Sequence, residues 1–210
     1  MSRTFAVVLL GLLSSCAPMP DSSVQPDLSG PDALELFEFT DAAAWRRGTD
    51  GGIGCVELFA KSSYQPQYRS PLALAVLREE EFGDFDLRVR ARSTCREYPH
   101  RDLCIVFAYR DPDHYCYAHL ATQGDQNAHH VMLVDGAPRR PVSTSRTEGV
   151  QWGDDWHDLE VRRRGRHVEV LFDGKVVIEA DAPDWRGRIG FGSFDDTGCF
   201  ADLEVVEIDG

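Results

Sequence analysis

Four of the seven histidines in this chain lie between positions 114 and 130, beside Tyr115, Tyr117 and Asn127. Read as a strand, this segment puts Tyr115, Tyr117 and His119 on one face and Cys116, Ala118 and Leu120 on the other, because side chains alternate along extended backbone. Aromatic faces stack on sugar rings and imidazoles hydrogen-bond hydroxyls, so the Tyr/His row is a candidate binding surface. Arg88, Arg90 and Arg92 form a second row. If its strand neighbours the first, the two make a basic, aromatic groove suited to an anionic glycan. His129 and His130 have opposite parity, so at most one points into that groove; they sit with Asn127 where a loop meets a strand. Arg139 and Arg140 follow the turn at Asp135-Gly136 and could clamp a carboxylate. The plainer alternative is that the arginines face solvent and the tyrosines follow strand propensity.

The same residues allow catalysis by β-elimination. Tyr117, His119 or His130 would take the proton, while Asn127 and Arg140 neutralise a neighbouring carboxylate. Glycoside hydrolysis needs two carboxylates at a set separation. Glu204 and Glu207 have opposite parity, and Asp154, Asp155, Asp158 and Glu160, near Trp152 and Trp156, read as a polar turn and strand edge. Asp195-Asp196, ahead of Thr197-Gly198, is a weak calcium candidate against an Asx-type turn. No C-x-x-C occurs and His114 and His119 point to opposite faces, so zinc spacing is lacking. No phosphate-binding glycine loop or nucleophile elbow is present.

The elements that carry these residues are strands. From Leu34 onward the apolar period is 2: Phe85, Leu87, Val89 and Ala91 alternate with Asp86, Arg88, Arg90 and Arg92, and Leu103, Ile105, Phe107 and Tyr109 share a face. Asp173-Gly174 between two such runs signals a two-residue hairpin. About twelve strands, with at most a helical turn at Ala42–Arg47, predict an all-β sandwich of two antiparallel sheets. No internal repeat or linker divides residues 34–210, which read as one domain.

The last third of that domain carries a family resemblance. Trp156-His157, a turn at Gly165, VEVLFDGKVV, then GRIGFGSFDDTGCFADLEV resemble the closing strands of the concanavalin A-like lectin/glucanase sandwiches, including LamG-like and 3-keto-disaccharide hydrolase-type domains. FGDFDLRVRARS fits the strand that starts the main sheet. The resemblance implies a jelly roll with sugars on the concave sheet, and loops near the closing strand that bind calcium in many members. The E-x-D-x-E strand of laminarinase-like members and the Q-[IV]-H signature of some jelly-roll lyases are absent. Because this fold hosts many functions, three readings stay open: carbohydrate binding, a glycan-degrading enzyme (a lyase or a 3-keto-glycoside hydrolase), and a structural or adhesion module. Gly190 and Gly192 leave one strand face bare, by close approach of either a neighbour or a ligand.

The N-terminus reads as an address. About nine apolar residues, Phe5 to Leu13, are too few to span a bilayer core that needs roughly 20, and fit a secretory signal. They end in Leu13-Ser14-Ser15-Cys16, which resembles a bacterial lipobox. It implies cleavage after residue 15, a lipid on Cys16 and a membrane-anchored protein of the bacterial cell envelope. Residues 16–33 read as a Pro- and Ser-rich tether. Export permits disulfides among Cys55, Cys95, Cys104, Cys116 and Cys199. Cys95 with Cys104 across their loop is the favoured pair; Cys55 and Cys199 meet if their strands are neighbours. The formal net charge of −13 speaks against nucleic acid as a partner.

Overall fold

A computed structural model describes residues 23–208. The signal segment and the Cys16 lipidation site lie outside the described residues. Sixteen strands follow in order: β1 (Ser23–Val24), β2 (Phe37–Phe39), β3 (Trp45–Asp50), β4 (Ile53–Leu58), β5 (Ala73–Leu77), β6 (Phe85–Ser93), β7 (Asp102–Asp111) and β8 (His114–Ala121); then β9 (His130–Asp135), β10 (Arg140–Pro141), β11 (Ser143–Arg146), β12 (His157–Arg164), β13 (His167–Phe172), β14 (Lys175–Asp181), β15 (Arg188–Ser193) and β16 (Gly198–Glu207). One sheet runs β11-β14-β13-β12-β6-β16-β4-β3, with β1 added beside β16; the other runs β10-β9-β8-β7-β15-β5-β2. The pairings are antiparallel throughout.

The period-2 pattern explains the layers. Phe85, Leu87, Val89 and Ala91 of β6 face inward and meet Leu103, Ile105 and Phe107 of β7 in one core. Phe191 of β15 and Phe200 of β16 stack across the two sheets, with centroids 4.2 Å apart. Asp173 and Gly174 adopt φ of 50° and 73°, the positive values a tight I′ turn requires. Gly190 and Gly192 are settled in favour of the neighbour: a Cβ on either would collide with a carbonyl oxygen of β5, Ala75 or Ala73.

The seven-stranded sheet is buried on both faces. Its outer face carries a second apolar cluster, in which Tyr109, Tyr115 and Tyr117 pack with Leu74, Val76 and Met132. The segment 64–72 lies against it: the Arg69 carbonyl accepts from Arg139 N, Leu72 N donates to Phe194 O, and Tyr64 and Ser70 lie near Tyr115.

Two expectations are corrected. The sandwich includes residues ahead of Leu34: Ser23–Val24 pair with Val205–Val206 and Leu28 is buried, so apolar residues inside the Pro/Ser-rich stretch pack with the sandwich. Cys95 and Cys104 are not bridged; both are free thiols. Cys104 points into the outer-face cluster, while burial, with the Asp196 charge nearby, pushes the Cys95 thiol up to about 11. Cys55 and Cys199 do meet, on the outer face of the larger sheet against Trp156. Their side chains pack together in that cluster.

Candidate functional site

Register across β7 and β8 sets the Cys104 position opposite His119. Asp102, two residues before Cys104, lies on the same face. At this end of the outer face a pocket of about 330 Å³ opens between the sheet and its loops. Asp102 and His119 form its floor, Arg69, Arg139 and Phe194 one wall, and His100, Asp125 and Asn127 the other, with Asp195 at the rim.

Each polar group is held by named partners. The His119 Nδ1–H donates to the Asn127 carbonyl at 3.2 Å. Its Nε2 lies 3.2 Å from Asp102 Oδ2, yet without the alignment of a hydrogen bond, so this buried nitrogen is unpartnered. Asp102 Oδ1 accepts from Ser193 Oγ at 3.1 Å and Phe194 N at 3.4 Å. Asp125 Oδ1 accepts from the backbone N–H groups of Asn127 and Ala128 at 2.7 and 2.8 Å; the Asn127 bond is the chief reason its carboxyl lies below the usual range. Arg139 Nη1 donates to the Tyr117 hydroxyl at 2.9 Å, and its guanidinium lies 4.1 Å from the Phe194 ring centroid. Arg139 Nε is buried without a partner.

The row Tyr115, Tyr117 and His119 does share one face, but only His119 reaches the pocket. Tyr115 and Tyr117 are buried beneath the covering segment. Burial pushes the Tyr117 hydroxyl well up, with Arg139 opposing. A phenol in that position is not a base open to substrate, so Tyr117 is removed from the candidate catalytic groups. His130 stands opposite His119 in register, but both its ring nitrogens are engaged, by Ser143 Oγ at 3.1 Å and the Asp125 carbonyl at 2.9 Å. It supports the 125–128 loop and is likewise withdrawn as a catalytic candidate.

Arg88 and Arg90 do not join this groove. They lie on the outer face of the other sheet and pair with Asp158 at 2.8 Å and Asp202 at 3.3 Å; Arg92 pairs with Asp50. The β6 strand neighbours β12 and β16, not β8, so the two rows sit on opposite sides of the sandwich. Arg140 is exposed on β10, and its neighbour Arg139 takes the pocket position. Asp195 and Asp196 diverge: Asp196 is buried, with its oxygens occupied by the Tyr98 hydroxyl at 2.7 Å and Asp102 N at 2.8 Å. That pair is not a calcium site.

Arg69, His100, Asp102, Cys104, Asp125 and Phe194 were not expected at the site. The legible signal was Asp102-x-Cys104, an i, i+2 pair on one strand face; its meeting with His119 depends on register. Asp102, Cys104 and His119 offer one ligand atom each, all within 4.8 Å of one another.

No family model and no curated protein matches the chain. Solved structures do. A carbohydrate-binding module of family 66 from Bacillus subtilis superposes with TM-score 0.60 at 11% identity, covering 82% of this chain and 96% of its own. The Bacillus licheniformis β-glucanase gives 0.56 at 12% identity, covering 91% and 100%. The carbohydrate recognition domain of Emp47p gives 0.55 at 13% identity, covering 90% and 96%. Two antiparallel sheets in jelly-roll order, superposing on these chains over nearly their full lengths, place this protein in the concanavalin A-like lectin/glucanase fold.

Proposed function

We propose that the chain binds a short carbohydrate, or the end of a longer one, in the pocket over His119. The observation that carries this reading is the pocket itself: on the outer face of the smaller sheet, donors and acceptors converge beside one half-buried aromatic ring. A face open along its length would suit a polymer, whereas here the buried tyrosines and segment 64–72 close it and leave one end accessible. Arg69 and Arg139 offer donors to hydroxyls, Asp125 and Asp195 offer acceptors, and Phe194 supplies an apolar surface. Three carboxylates against two guanidinium groups make the lining slightly acidic, which favours a neutral sugar over the anionic glycan expected from the arginine row. Similarity to carbohydrate-binding folds supports this reading. In the same proposal, lipid on Cys16 anchors the domain to a bacterial envelope membrane.

Glycan-array binding by the chain tests it, with calorimetry on any hit. Arg69→Ala and His100→Ala should each weaken binding about tenfold or more, the loss of one or two hydrogen bonds. Silence across neutral and anionic glycans would sink the proposal. A second reading, glycoside hydrolysis, is favoured by the convergence of Asp102, Asp125 and Asp195 from three separate segments. Release of reducing ends from a bound glycan, abolished by Asp125→Asn or Asp195→Asn, would select it.

A further inference from the structure

We propose that Asp102, Cys104 and His119 form a zinc site whose fourth coordination position opens into the pocket. The three side chains come from β7 and β8, their ligand atoms lie within 4.8 Å of one another, and all three residues are buried. His119 has the geometry of a ligating imidazole: Nδ1–H is committed to the Asn127 carbonyl, the outer-shell bond that fixes the tautomer and leaves the Nε2 lone pair free. That nitrogen is buried, makes no hydrogen bond, and faces Asp102 Oδ2 at 3.2 Å. An ion held by both would satisfy this unpartnered nitrogen and the carboxylate oxygen together. Tetrahedral bonds of about 2.0 to 2.1 Å set nitrogen and oxygen ligands about 3.3 Å apart. Ser193 and Phe194 hold the other Asp102 oxygen and so orient the carboxylate.

The donor set selects the metal. A carboxylate, a thiolate and a neutral imidazole cancel a divalent charge, and mixed N, O and S ligands suit zinc rather than calcium or magnesium. The Cys104 thiol is buried beside Asp102, and a bound cation is what makes its thiolate tenable. Asp102 and His119 both border the pocket, so water or a ligand hydroxyl completes the tetrahedron. The site does not depend on the sugar reading, and metal binding can succeed where glycan binding fails.

The full chain, stripped with chelator, is titrated with Zn(II) against a chromophoric competitor and with Co(II) by absorbance. The expected result is saturation at one equivalent, with a thiolate-to-cobalt charge-transfer band and tetrahedral d–d bands. Cys104→Ser should abolish the charge-transfer band and cost more than the roughly 10- to 100-fold in affinity typical of outer-shell changes. Cys116→Ser, whose thiol lies on the core face of β8, should keep both. If Cys104→Ser fails to fold by circular dichroism, His119→Gln carries the test and must weaken zinc binding to the same degree. Absence of zinc binding by the folded chain overturns the proposal. So does a cobalt band that survives Cys104→Ser and disappears in Cys55→Ser.

Discussion

Removing the Arg139 side chain should destabilise the protein through a group it leaves behind. The Tyr117 hydroxyl is fully buried and receives its hydrogen bond from Arg139 Nη1 at 2.9 Å. In Arg139→Ala that hydroxyl loses its partner, at about 1 to 3 kcal/mol for a buried polar group. The cation over Phe194 contributes about 0.5 to 1 kcal/mol at a half-buried position. Because Arg139 borders the pocket, water can enter the vacated space and offset part of the loss, so the expected total is about 1.5 to 2.5 kcal/mol. A domain of this size melts roughly 2 to 4 °C lower for each kcal/mol lost. Tyr117→Phe should cost about 1 kcal/mol, since the guanidinium can turn to solvent. The double variant has no orphaned hydroxyl, so its loss should fall short of the sum by about 1 kcal/mol. Urea unfolding of the four proteins at matched m-values measures this coupling. Additivity within about 0.5 kcal/mol would show that Arg139 does not hold Tyr117, and the pocket wall would not be built this way.

Two further outcomes follow from buried side chains elsewhere. Burial lowers His129 to about 4, so the unfolded chain takes up a proton near pH 6.5 that the folded chain refuses; its contribution is complete above pH 6.5, fades as pH falls toward 4, and amounts to roughly 3 kcal/mol. The pH dependence of the urea midpoint should flatten in His129→Gln relative to the parent between those limits, and identical slopes would contradict it. Mild oxidation should join Cys55 to Cys199, which pack side by side in one cluster, and not Cys95 to Cys104; peptide mapping that finds the 95–104 link would reverse the thiol assignment.

The sandwich was legible because its evidence is local. Alternation in Phe85–Ala91 fixes which side chains enter the core whatever strand lies beside them, and Asp173-Gly174 fixes a hairpin from its own backbone needs. Strands such as Ser23–Val24 and Arg140–Pro141 are two residues long, too short for any period to show, which is why the count rose and the domain boundary moved. The Tyr/His row was read on the correct strand with the correct parity. Parity cannot say whether a face is open, however, and segment 64–72, irregular and far away in sequence, turns most of that row into a second core.

The same distinction explains why the arginine row misled and the Asp102 cluster went unseen. Arg88 and His119 would share a groove only if their strands were neighbours, and jelly-roll connection places them in different sheets. Asp102 and Cys104 were visible as an alternating pair, but within a strand they are simply two small residues of the correct parity. It takes the β7–β8 register, with Cys104 facing His119, to bring carboxylate, thiol and imidazole together. A slip of one residue would send His119 to the core face in exchange for Ala118 and Leu120 and dissolve both the cluster and the pocket floor. Core contacts on the far face, Cys116 and Ala118 among them, are therefore what determine the chemistry on the near one.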